Sequence, residues 1–131
     1  MENGFRLSET VPASPAEIYA AWLSSEGHTA MTGSPAQVDG KVGGIFSAWD
    51  GYISGSTLDL DLDRRIVQSW RTAEFPEQAP DSRLEVLLEE AEGGTTVTLI
   101  HSALPPGQAD SYRLGWEDFY FKPMRAHFNK K

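Results

Sequence analysis

Cysteine is absent from the chain. Disulfides, thiolate metal sites and thiol nucleophiles are therefore excluded, and the absence fits a reducing compartment. The first residues, Met1 to Leu7, show no apolar run behind a basic cluster, so no secretory leader is expected. No run approaches the roughly 20 apolar residues of a membrane span. A cytoplasmic location is the expectation. Positive charge is scarce as well: 11 lysines and arginines stand against 19 aspartates and glutamates, a formal net charge of −8. Such a chain repels phosphate backbones, so neither nucleic acid nor an anionic membrane is an expected partner.

Common catalytic and metal motifs are missing too. The three histidines, His28, His101 and His127, form no HxxxH or HExxH pair. Asp59-x-Asp61-x-Asp63 opens like a calcium loop, but Arg64 stands where the loop needs glycine and Trp70 where it needs glutamate. There is no G-x-S-x-G elbow. Gly43-Gly44 lacks the lysine and the helix start of a phosphate loop. No metal, cofactor or catalytic residue is assigned. With no repeat, linker or low-complexity stretch in 131 residues, one domain spanning 1–131 is expected.

What is present is concentrated at the C-terminus. From Gln108 to Phe128, bulky or apolar residues fall at Tyr112, Trp116, Phe119, Tyr120, Pro123, Met124, His127 and Phe128. Spacings of three and four mark one face of a helix about 30 Å long. So aromatic a face needs a broad apolar partner, and the middle of the chain supplies strands. Leu84, Val86 and Leu88 alternate, as do Val97, Leu99 and His101, and Ile66, Gln68 and Trp70. Phe5 to Val11 is a further strand. Asp50-Gly51 is a hairpin dipeptide before Ile53. Ser14-Pro15-Ala16-Glu17 is a capping box before a short helix with Ile18, Tyr19 and Trp22 on its apolar side. A second short helix runs from Ser24 to Thr32, with His28 on its solvent side. One conflict of parity stands out. Ile53, Gly55 and Thr57 are odd, whereas Leu58, Leu60 and Leu62 are even, so a bulge is predicted near Ser56 to Leu58.

These blocks together resemble a known family. They are Val11-Pro12-Ala13-Ser14-Pro15, Pro35-Ala36, Gly43-Gly44-Ile45-Phe46, Asp50-Gly51 with Ile53-Ser54-Gly55, Ile66-Val67 with Trp70-Arg71, and Gly115-Trp116 with Phe119-Tyr120-Phe121. In order and spacing they are similar to the C-terminal domain of the activator of heat-shock protein 90 ATPase, of the START/SRPBCC helix-grip superfamily. The resemblance runs from about Ser8 to Phe128. It implies an α+β fold: a curved antiparallel sheet of about six to seven strands around a long C-terminal helix, with two short helices after strand 1. It implies two roles as well. One is a chaperone partner in the stress response, although the co-chaperone has a second domain for which this chain has no room. The other is an apolar or aromatic small molecule held between sheet and helix, as in stand-alone relatives.

The small-molecule reading is preferred, without enzymatic activity. Its candidate wall is Trp116, Phe119, Tyr120 and Met124 on the helix, with Phe46, Ile53, Trp70, Val86, Leu88, Val97, Leu99 and His101 opposite. The same residues equally read as a packed core. His101 reads first as a satisfied histidine at the sheet end; otherwise His101 or Tyr120 would orient the ligand, and the same pair is the only acid–base candidate for a cavity enzyme. Gly115 lies mid-helix at a cost of about 1 kcal/mol, explained either by close helix–sheet approach or by nothing functional. Pro123 is expected to kink the helix. Trp49, opposite in parity to Phe46 and Ala48, points toward solvent beside Asp50-Gly51-Tyr52, where it is either an exposed candidate surface for a protein partner or covered by a loop.

Overall fold

The computed structural model describes residues 3–129. The ends of the domain drawn at 1–131 thus lie outside the described span. The elements in order are β1 (Phe5–Val11), α1 (Pro15–Trp22), α2 (Ser25–Thr32), β2 (Gln37–Val38), β3 (Ile45–Ala48), β4 (Ile53–Asp61), β5 (Arg65–Thr72), β6 (Ser82–Ala91), β7 (Gly94–Ser102), α3 (Ala109–Trp116), a π-helical turn (Glu117–Phe121) and α4 (Lys122–Phe128). All pairings are antiparallel, in one curved sheet of order β1-β7-β6-β5-β4-β3-β2. The C-terminal helical segment packs against this sheet, which is the α+β helix-grip architecture. The two-residue β2 went unanticipated because it is too short to leave a period in the sequence.

Local chemistry sets the two short helices. Glu17 N–H donates to Ser14 Oγ at 3.1 Å and Ser14 N–H donates to Glu17 Oε1 at 2.9 Å, closing the capping box of α1. Ser24 Oγ accepts from Gly27 N–H at 2.9 Å, and Gly33 ends α2 in the left-handed region at φ 84°. The helices touch at Gly27, where a Cβ would lie 2.6 Å from Ala21 Cα. That close approach turns the His28, Met31 and Thr32 side of α2 into the core. His28 is only 2% exposed, so the expectation of a solvated histidine is wrong. Its position depends on how α2 docks, which the helix period does not encode.

The predicted bulge is present. Ser54 pairs with Arg71 and Thr57 with Gln68, but Asp59 pairs with Val67, so Leu58 is the extra residue. Thr57 is buried, whereas Leu58 and Leu62 are exposed and only Leu60 packs against the core. The C-terminal helical run is continuous, but it is not a uniform α-helix. Pro123 brings no N–H, and its ring would press on the Phe119 carbonyl four residues back. The chain widens instead into the π turn, where Lys122 N–H reaches back five residues to the Glu117 carbonyl. The disturbance foreseen at Pro123 takes that form.

Gly55 shows how closely the curved sheet is drawn together. A Cβ there would overlap the Ser69 carbonyl oxygen of β5 and press on the Phe46 ring. Gly55→Ala is expected to lower the unfolding free energy by about 2 kcal/mol, through overpacking against backbone that cannot yield. Urea denaturation at neutral pH measures it, and an unchanged midpoint would show that β4 relaxes freely.

Candidate functional site

Between β4, β5, the β3–β4 turn and the C-terminal helical run lies a cleft of about 320 Å³. Its lining is Trp49, Tyr52, Ile53, Trp70, Tyr112, Gly115, Trp116, Phe119 and Tyr120. Seven of these nine carry aromatic rings, and none carries a formal charge at neutral pH. The volume is at the small end of ligand pockets, about 300–1,000 Å³.

The structure divides the candidate wall in two. Ile53, Trp70, Trp116, Phe119 and Tyr120 line the cleft. Phe46, Val86, Leu88, Val97, Leu99, His101 and Met124 lie in the packed core. Four lining residues lay outside the candidate wall: Trp49, Tyr52, Tyr112 and Gly115. Tyr112 was legible in principle, since it sits one helical turn before Trp116 on the same face.

Trp49 was not legible by alternation. It does not continue β3. Trp49 and Asp50 take φ of 53° and 56°, followed by Gly51 at 89°, so the chain turns through three left-handed residues. A bulky residue there is strained by about 1–3 kcal/mol. The turn is pinned where Asp50 N–H donates to the Pro35 carbonyl at 2.9 Å. Trp49 is thereby carried over the cleft, edge-on to Phe119 at 5.2 Å, rather than out to solvent. Its indole N–H is sheltered and has no acceptor among the described residues.

Gly115 opens the helical side of the wall. A Cβ there would meet nothing nearer than Phe119 Cδ2 at 3.8 Å. Close helix–sheet approach therefore does not account for it. The missing side chain is cleft volume.

Two buried hydrogen-bond chains stand behind this wall. Trp116 Nε1–H donates to His101 Nδ1 at 3.1 Å, which leaves the His101 proton on Nε2. Nε2–H then donates to Ser82 Oγ at 2.9 Å, and the Ser82 hydroxyl donates to the Trp70 carbonyl at 2.7 Å. In the second chain, His28 Nδ1–H donates to the Trp22 carbonyl at 3.0 Å. His28 Nε2 accepts from the Tyr120 hydroxyl at 2.7 Å. His101 and Tyr120 are thus bonded to other partners and form no acid–base pair. Burial pushes the Tyr120 hydroxyl pKa upward, so it stays protonated.

One end of the cleft is polar. Tyr52 donates its hydroxyl to Glu74 Oε2 at 2.7 Å. The Tyr112 hydroxyl donates to Gln108 Oε1 at 2.7 Å and lies 2.7 Å from Thr72 Oγ1. Burial, together with Glu74, pushes the Tyr52 pKa up to about 12.

The family described as Activator of Hsp90 ATPase homolog 1-like protein matches residues 12–129, a span that holds every lining residue. The chain belongs to this family. The human Activator of 90 kDa heat shock protein ATPase homolog 1 is 30% identical over 122 residues, covering 93% of this chain and 36% of the relative. The chain therefore spans about a third of the length of the curated relatives it matches. Among solved structures, an HSP90 activator from Plasmodium falciparum aligns with a TM-score of 0.85 at 25% identity, over 95% of this chain and 94% of that one. CalU16 from Micromonospora echinospora shares the fold, with a TM-score of 0.79 at 23% identity over 96% and 76% of the two chains.

In this activator-family domain both core histidines are held neutral. Burial lowers the His101 pKa to about 3 and pushes His28 down as well. A proton on His101 Nδ1 would also face the Trp116 N–H, donor against donor. In each case the folded pKa is below the unfolded value near 6.5, so the unfolded chain binds more protons below that pH. Folding stability is accordingly expected to be flat above pH 6.5. It should fall between pH 6.5 and 5 with a limiting slope of about 1.4 kcal/mol per pH unit from His101, and His28 adds a contribution of the same sign. Urea titrations across this window check the slope. His101→Gln should remove one histidine's share of it, whatever it does to stability at pH 7.5. A slope unchanged by the variant would mean that His101 titrates normally.

Proposed function

We propose that this domain binds an apolar, ring-containing small molecule in the cleft between β4, β5 and the C-terminal helical run. The observation that carries the reading is Gly115. A mid-helix glycine costs about 1 kcal/mol relative to alanine, and here it relieves no clash, because a Cβ would stand in the open beside Phe119. What it provides is space bounded by aromatic rings. Apolar surface removed from water at about 25 cal/mol per Å² drives the binding. Binding without chemistry fits the same geometry. Both ring nitrogens of His28 and of His101 are taken up by protein partners, so neither histidine offers a free base to the cleft.

Native mass spectrometry of the freshly purified protein, followed by denaturation and identification of any released compound, tests the reading. Wild type is expected to carry a near-stoichiometric apolar compound. Gly115→Leu, which fills the space, should carry at least tenfold less while remaining folded. Gly115→Ala should raise the unfolding free energy by about 0.5–1 kcal/mol. Equal loading of wild type and Gly115→Leu would place the compound elsewhere and sink the proposal.

A second reading is favoured by the family itself. The human relative, alike over 93% of this chain, is an activator of a heat-shock protein ATPase. Under this reading the domain docks on a 90-kDa heat-shock protein and raises its ATPase rate. Steady-state ATP hydrolysis by that chaperone, with and without excess domain, is expected to rise several-fold. No change at saturating domain would remove the reading.

A further inference from the structure

We infer that the cleft is an aromatic cage for a small organic cation, a quaternary or methylated ammonium group. The inference rests on the cleft being a small-molecule site, as above, and replaces the neutral apolar guest of that reading with a cationic one. Ring orientation is the first argument. Trp70 meets Tyr112 at 82° with centroids 5.1 Å apart, Trp49 meets Phe119 at 69° and 5.2 Å, and Trp116 meets Tyr120 at 54° and 4.6 Å. Trp70 and Trp116 are tilted by 37° at 5.7 Å, so the lining rings are turned in several directions rather than stacked in one. An aromatic lining attracts a cation to its ring faces, most strongly to tryptophan. Three of the four tryptophans in the chain line this cleft.

Charge is the second argument. No lysine or arginine lines the cleft among the described residues. The neighbouring Arg113 lies over the Phe5 ring at 5.8 Å, and Arg71 pairs with Asp81 at 2.9 Å. A carboxylate, by contrast, stands at its polar end: Glu74 accepts the Tyr52 hydroxyl at 2.7 Å. A phenol donating to a carboxylate has a more electron-rich ring, which strengthens its hold on a cation. The net charge of −8 adds a long-range attraction of the same sign.

Choline and its neutral carbon isostere 3,3-dimethylbutan-1-ol share shape and hydroxyl and differ in charge, so they isolate the cation term. The whole chain is titrated with each, reading the indole N–H signals of Trp49, Trp70 and Trp116 by NMR. Choline is expected to bind at least tenfold more tightly, with shifts at all three indoles. Glu74→Gln should weaken choline several-fold and leave the alcohol unchanged. Gly115→Leu should abolish both, and Trp49→Ala serves as the second blocking variant should Gly115→Leu fail to fold. Equal or tighter binding of the alcohol, lost in the blocking variants, overturns the cation inference and leaves the small-molecule reading standing. Binding of neither probe to wild type overturns the cation inference, and the co-purification result then decides the small-molecule reading separately. Choline binding that persists in both blocking variants places it outside the cleft and overturns the inference too.

Discussion

The Trp116 indole N–H donates to His101 Nδ1, and that contact ties the C-terminal helical run to the far half of the sheet. The Trp116 ring is at the same time wedged between elements distant in sequence. It stacks on Trp22 of α1 at 6.2 Å, tilts against Trp70 of β5 at 5.7 Å, and touches Tyr120 one turn further along. Removing the ring would leave His101 without its donor and Trp22 and Trp70 without a packing face. The bond has a direction, and the direction propagates. Because Nδ1 accepts, Nε2 must donate, and Ser82 relays the order to the backbone of β5. One tautomer is therefore specified by a chain that crosses β7, β6 and β5. A second chain, from Tyr120 through His28 to the Trp22 carbonyl, fixes α1 and α2 against the same helical run.

This arrangement explains why the cleft is where it is. The helical run is anchored over β5 to β7 by Trp116 and over α1 and α2 by Tyr120, so its height above the sheet is set from that side. On the other side, β4 departs from regular pairing at Leu58, and the β3–β4 turn folds back over the gap. Three unfavourable features collect around the gap: left-handed φ at Trp49, a mid-helix glycine at Gly115, and a π turn at Glu117–Phe121. Each costs stability. Their convergence on one void supports the proposal that it is a built site rather than a packing defect. The π turn spans the residues that place Phe119 at the mouth, 53% exposed, and Tyr120 on the inner wall.

Much of the fold was legible because the signals were local and periodic. The alternations in β5, β6 and β7, the capping box at Ser14 and the parity clash at Leu58 each follow from rules acting over a few residues. The order of those blocks also carried the family. The site was legible in part. Trp70, Trp116, Phe119 and Tyr120 could be placed facing one another because the helix and strand periods are reliable. Residues whose orientation depends on tertiary docking could not be placed. His28 went to the wrong environment because the approach of α2 to α1 at Gly27 rotates it inward. Trp49 went to the wrong face because alternation assumes negative φ, and the turn breaks that assumption. Val86, Leu88, Val97 and Leu99 share the inward parity of true lining residues, yet other side chains fill the space above them. Parity shows which face is covered and is silent about what covers it.

The consumption of polar atoms behind the cleft bears on the kind of recognition it performs. Both histidines, the Tyr120 hydroxyl, Gln68 and Ser82 are bonded within the protein. These bonds hold the rings of Trp22, Trp116 and Tyr120 in place, and burial keeps both imidazoles neutral. The protein thus spends its buried polarity on positioning rings and lines the cleft with ring surface and two phenols at one end. Under the proposed small-molecule reading, discrimination would come from shape and from the electrostatics of the rings themselves, since no charged side chain lines the cleft among the described residues. Rings immobilised by directional hydrogen bonds recognise more sharply than rings held by packing alone, because less freedom is lost when a guest enters. The two buried histidine chains, which look at first like catalytic machinery, fit a role in preorganisation.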